Sequence, residues 1–162
     1  MPYSAISIAL AFTLKGIEER KFVTQMKLQK LVYFAHGVHL AKYNTPLINE
    51  QIEAWKYGPV VPDIYRYYKL YGSNLISDIG LLPVNESALS IAFDKHAQDS
   101  INYTWKVLKD IDPIVLSQWT HIKHSPWGEV FQPNITNIPI DNDSIKNYFK
   151  LLIFNKQDAP SA

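Results

Sequence analysis

Apolar positions recur at helical spacing along much of the chain. Between about Ser4 and Arg20, Ile6, Leu10, Leu14 and Ile17 form one stripe with charges gathered at the C-terminal end, which predicts a first helix. Thr24 suits the N-cap of a second helix, Gln25 to about Tyr43, in which Leu28, Leu31, Val32, Ala35 and Val38 mark the buried face and Phe34 and Leu40 widen it. A helix apolar over so much of its girth belongs at the centre of a core. Asn44 to Pro46 reads as a turn, and Leu47 to Tyr57 as a loop with a short extended piece, Ile52 to Trp55. Gly58-Pro59 then breaks the chain. Pro62 suits the first turn of a third helix, from about Val61 to Tyr71, because its missing N–H would have no intrahelical partner there. Along that helix Ile64, Tyr67, Tyr68 and Tyr71 share a face, and Gly72 caps its end.

Between Ser73 and Asp94 the pattern weakens around the turn signals Gly80, Pro83 and Asn85, and a loop with room for a short strand is expected. Helical spacing returns from about Lys95 to Asp110, and Asp112-Pro113 starts a fifth helix, Ile114 to about Ile122. Ser125-Pro126 initiates one further turn, Trp127 to Phe131, before an irregular stretch from Gln132 to Pro139. A last helix, capped by Asp141 or Asp143, buries Ile145, Tyr148 or Phe149, and Leu152. The expected fold is mainly α: a compact single-domain helical fold of about five or six helices, with a short strand or hairpin, over residues 1–154, followed by a flexible tail over 155–162.

Composition narrows the function. A chain of 162 residues with 47% hydrophobic and 13% aromatic positions has ample material for one core and little room for extended disorder. A formal charge of +1 supplies no global field for nucleic acid or anionic lipid, so no direct nucleic-acid partner is expected. Cysteine is absent, which removes disulfides and thiolate metal sites. The start lacks a signal-peptide pattern and no apolar run approaches the ~20 residues that span a bilayer, so a soluble cytoplasmic protein without a membrane partner is the expectation.

Chemistry is sparse. His36 and His39 stand three apart on the second helix, and His121 and His124 repeat that spacing near the fifth, with Glu129 or Glu53 as a carboxylate for a metal. No His-Glu-x-x-His motif accompanies them, and packed or solvated histidines account for them as well. No serine sits in a nucleophile elbow, Glu18-Glu19 and Asp141/Asp143 lie at helix ends where carboxylates are common, and the glycines make no phosphate loop. No catalytic, metal or cofactor residue is therefore assigned, and no enzyme is expected. Aromatic rings serve core and interface alike; Tyr57, Tyr65 and Trp127, off the main stripe or beside turns, are the interface candidates. Lys27 and Lys30, on one helical face, offer either a small basic rim for a partner or a solvated face.

Three segments together resemble a known family. Thr24 to Gly37, with Lys27-Leu28-Gln29-Lys30-Leu31, resembles the Lys-Leu-Gln-Lys-Leu helix of the Panacea domain family, also called SocA-like antitoxins or phage-associated proteins. Glu53 to Pro62, with Trp55, Gly58, Pro59 and Val60, resembles its Ala-Trp-x-x-Gly-Pro-Val signature. Leu116 to His121 with Ser125-Pro126-Trp127 resembles its late Thr-His…Pro-Trp element. The resemblance implies an α-helical antitoxin that neutralises a cognate toxin, encoded next to it, by direct protein–protein contact and without catalysis. In some members the domain is an adaptor that delivers the toxin to a cytoplasmic protease, which stands as the alternative; a small metal-dependent hydrolase using the paired histidines is the alternative from another class. Most motif residues are expected to maintain the fold: Gly58 through a backbone conformation closed to other residues, Pro59 and Pro62 by fixing the entry into the third helix, Trp55 by anchoring the turn.

Overall fold

The computed structural model describes residues 2–80, 82 and 88–154. The first helix, α1 (Ala5–Glu18), starts at Ser4, whose side chain accepts from the Ser7 N–H. The second, α2 (Gln25–Tyr43), starts at Thr24 in the same way and ends where Asn44 turns left-handed. A tight antiparallel hairpin follows, β1 (Ile52–Trp55) and β2 (Gly58–Val60), with Trp55 opposite Gly58. Then come α3 (Pro62–Tyr67), α4 (Ala88–Ala92), α5 (Lys95–Leu108), α6 (Pro113–Thr120), α7 (Pro126–Val130), the strand β3 (Ile138–Ile140) and α8 (Asn142–Phe154). The sheet order is β2-β1-β3, with β3 antiparallel to β1.

The burial of α2 on nearly every side follows from its composition, and it packs against α1, α3, α5, α6, α8 and β2. Leu28, Leu31, Val32 and Ala35 have no exposed surface. Helix α8 comes close enough that a Cβ on Gly37 would stand 2.3 Å from the Phe149 ring, so glycine is required at that crossing. Phe149 meets Tyr33 and Phe34 edge-on. Ile64 on α3 and Tyr68 at its C-cap are wholly buried, and Thr13 hydrogen-bonds the Tyr68 hydroxyl at 2.8 Å, joining the end of α3 to α1.

The mainly α class holds; the further turn expected over Trp127 to Phe131 is α7, and α4, of five residues, is the added helix among the described residues. The third helix is shorter than its apolar spacing predicts. The Tyr68 carbonyl accepts from the Gln25 side chain at 3.2 Å and from the Tyr71 N–H at 3.0 Å, so the chain tightens into a 3₁₀ turn over Lys69–Tyr71. The stretch Gln132 to Pro139, expected to be irregular, ends inside β3; Pro139 is tolerated because β3 lies at the sheet edge. An isolated bridge between Val23 and Ile76 is the short extended contact of the weak-pattern region. Pro83, Asn85 and the expected tail over 155–162 lie outside the described residues.

Candidate functional site

The three sequence segments that resemble the Panacea domain converge on the β1–β2 hairpin. Gly58 has φ +115°, and a Cβ there would lie 2.4 Å from Lys30 Nζ and 2.8 Å from Thr120 Oγ1, so both backbone and space demand glycine. Around it the hairpin is gripped by its carbonyls. The Trp127 indole N–H donates to Trp55 O at 2.6 Å, His121 Nε2 faces Lys56 O at 3.0 Å, and the Ser117 hydroxyl donates to Tyr57 O at 3.2 Å. From the other side Lys30 Nζ donates to Tyr57 O at 2.8 Å and Pro59 O at 3.4 Å. Gln29 completes the clasp with a paired bond, accepting from the Val61 N–H at 2.9 Å and donating to the Val61 carbonyl at 3.1 Å, as a strand neighbour would.

Local sequence explains how these donors are held. Ser125 caps α7 by accepting from the Gly128 N–H, and Pro126 occupies the first turn, which fixes Trp127 between His121 and Phe131 at ring separations of 4.2 and 4.5 Å. Asp112 caps α6 through the Ile114 N–H, placing Ser117, Thr120 and His121 towards the hairpin.

The expected basic rim is corrected by this geometry. Lys27 is only 7% exposed, its Nζ donating to Lys109 O at 2.6 Å and Ile111 O at 2.8 Å where α5 ends. Lys30 is 1% exposed. Burial pushes its ammonium down to about 8, and burial also lowers the Lys27 ammonium. Neither forms a rim or a solvated face, because aliphatic stems pass through the core to reach carbonyls left open by turns. Trp127 is likewise buried, at 9% exposure. Tyr57 and Tyr65 are surface residues, at 62% and 46%.

Beside the hairpin lies a groove of about 720 Å³, walled by the start of α2, the hairpin, α3 and the first residues of α6. Its lining is mainly apolar: Met26, Trp55, Tyr57, Val60, Tyr65 and Ile114 contribute, with the Trp55 and Tyr65 rings 5.5 Å apart. Met26 and Ile114 are 42% and 65% exposed. Neither was singled out by spacing, since each stands off its helix's buried stripe; an exposed apolar residue at a helix start was the available signal. Lys56 and Lys69 also line the groove and were not anticipated.

The paired histidines are spread through the fold. His36 has no exposed surface; Nε2 meets Asn142 Oδ1 at 2.9 Å and Nδ1 accepts from Leu47 N at 3.3 Å, so both nitrogens are engaged. Burial, against the Asn142 bond, lowers it to about 4 and keeps it neutral. His39 Nδ1 donates to Thr45 O at 2.7 Å, and His121 serves the hairpin. No group of three or more His, Cys, Asp or Glu side chains that would hold a metal ion occurs among the described residues.

Comparison with known proteins agrees with the converging segments. The family model described as antitoxin SocA-like, Panacea domain, matches residues 28–128, a span that runs from Leu28 to Gly128. Antitoxin SocA of Caulobacter vibrioides (strain NA1000 / CB15N) is 32% identical over 120 residues, which cover 72% of this chain and 64% of that relative's length. No solved structure matches. With a family model over most of its length and the signature residues gathered at one clasped hairpin, the chain belongs to the antitoxin SocA-like, Panacea domain family.

Proposed function

We propose that the chain is an antitoxin that neutralises a cognate toxin, encoded by the neighbouring gene, through direct protein–protein binding in the cytoplasm, and that the groove beside the hairpin is the contact surface. The observation that carries this reading is the groove itself, a concave apolar patch with two tyrosines exposed on its walls, Tyr57 on the clasped hairpin and Tyr65 on α3. Exposed apolar surface of this kind marks interaction sites, and tyrosines anchor them at low entropic cost. Binding alone suffices for neutralisation, so no catalytic constellation is needed. No helix among the described residues is long and apolar enough to cross a membrane.

The test is co-expression of the neighbouring reading frame with this chain. Wild type restores growth, whereas Tyr57→Ala with Tyr65→Ala, which removes two rings from the walls, weakens binding by about 2 kcal/mol or more, roughly thirtyfold, and loses protection. Growth arrest unchanged by the wild-type chain overturns the antitoxin reading. Toxin half-life in the same cells separates the modes: a stable toxin supports blocking, and a shortened one supports delivery to a protease.

A further inference from the structure

The groove is lined by more basic than acidic side chains. Lys30, Lys56 and Lys69 line it, and none of them has a carboxylate partner among the described residues. Carboxylate pairs form at other places on the surface: Lys21 with Asp110, Lys42 with Asp99, Lys109 with Glu19, Lys146 with Asp143 and Arg66 with Asp63. The acidic residue in the lining, Asp112, is committed to the α6 N-cap through the Ile114 N–H. Lys30 adds a buried ammonium held by the Tyr57 and Pro59 carbonyls. A pKa of about 8 leaves it charged at neutral pH. The groove is thus apolar on its walls and lined by three lysines against one aspartate, with Lys56 and Lys69 exposed.

We propose that the groove receives an acidic, apolar segment of the partner: a short stretch in which an aromatic or aliphatic side chain seats among Met26, Trp55, Tyr65 and Ile114 while flanking carboxylates meet Lys56 and Lys69. This rests on the antitoxin reading for the identity of the partner and on charge complementarity for its chemistry. A basic or uncharged apolar segment would leave both lysines uncompensated at the edge of a desolvated surface. A second copy of this chain would have to supply a free acidic, apolar segment of its own.

The experiment pans a library of random dodecapeptides displayed on phage against the immobilised full chain, then measures the enriched peptides by fluorescence anisotropy at low and high salt. Enriched peptides should carry Asp or Glu beside Trp, Phe or Leu, and bind more weakly as salt rises. Binding should fall roughly tenfold with Lys56→Glu and Lys69→Glu together, be lost with Tyr65→Ala, and be unchanged by Leu151→Ser on α8. Lys56, Lys69 and Leu151 are exposed, so their variants keep the wild-type fold and circular dichroism checks it. No enrichment, enrichment of basic or uncharged peptides, or indifference to the double reversal overturns the proposal, as does a wild-type dimer in sedimentation that Tyr65→Ala dissolves. The co-expression arm keeps the two readings apart. Protection that survives the double lysine reversal leaves the antitoxin standing and removes the acidic segment; a wild-type chain that never protects removes the antitoxin, and the peptide selection still decides the groove.

Discussion

Replacing Lys30 by methionine tests whether a charge truly sits under the hairpin. Lys30 is 1% exposed and its pKa is pushed from 10.5 down to about 8 by burial. That difference of roughly 2.5 units corresponds to about 3 kcal/mol. Below about pH 8 the lysine is protonated in both folded and unfolded chains, and the cost of burying the charge is fully present. Between about pH 8 and 10.5 the unfolded chain still holds a proton the folded chain has released, so wild-type stability rises with pH by about 3 kcal/mol through this residue alone. Lys30→Met has no such rise. At neutral pH methionine removes the burial cost but also the bonds to Tyr57 O and Pro59 O, each worth about 1.5–3 kcal/mol with a charged donor, so the two proteins should lie close together there. The assay is urea unfolding of both proteins at half-unit steps from pH 7 to about 10, with the mutant subtracted from wild type so that tyrosine ionisation cancels. Parallel stability curves would refute the buried ammonium, and a difference that closes instead of opening with pH would mean an unrecognised carboxylate partner.

Gly58→Ala should cost about 3 kcal/mol or more, from the positive φ and from a Cβ 2.4 Å from Lys30 Nζ, and lower the thermal midpoint by roughly 10 °C in calorimetry; a loss under about 1 kcal/mol would show that the turn relaxes. His36, buried and neutral with a pKa near 4, is protonated first in the unfolded chain, so stability should fall by about 3 kcal/mol as pH drops from about 6.5 to 4; denaturant midpoints for wild type and His36→Gln should converge in acid. Gln29→Leu strands the Val61 N–H and carbonyl and should destabilise by about 2–4 kcal/mol, read as faster hydrogen exchange at the hairpin as well as a lower urea midpoint; protection unchanged from wild type would sink the pairing.

Local rules located most elements because their causes are local. Ser4, Thr24, Asp112 and Ser125 each cap the helix that follows them with a bond to a nearby N–H, and the extended piece Ile52–Trp55 is β1. The strand β3 was invisible because it is Ile-Pro-Ile, three residues whose pairing depends on β1 arriving from far along the chain. The lysines mislead for the same reason. On a helix surface Lys27 and Lys30 look solvated, and only the carbonyls of residues 109 and 111, or 57 and 59, turn them inward. The groove itself combines four separated stretches, so no single periodicity announces it; Tyr57 and Tyr65 were visible as rings off the stripe, whereas Met26, Ile114, Lys56 and Lys69 were not.

The grip on the hairpin has an evolutionary consequence. Trp127, His121, Ser117 and Lys30 hold the turn through main-chain oxygens, which every amino acid supplies. The side chains of Lys56 and Tyr57 point outward and take no part in that hold, so they are free to change while the loop keeps its shape. A lineage can therefore retune what the groove wall recognises by substitution at these two positions, without renegotiating the scaffold that presents them.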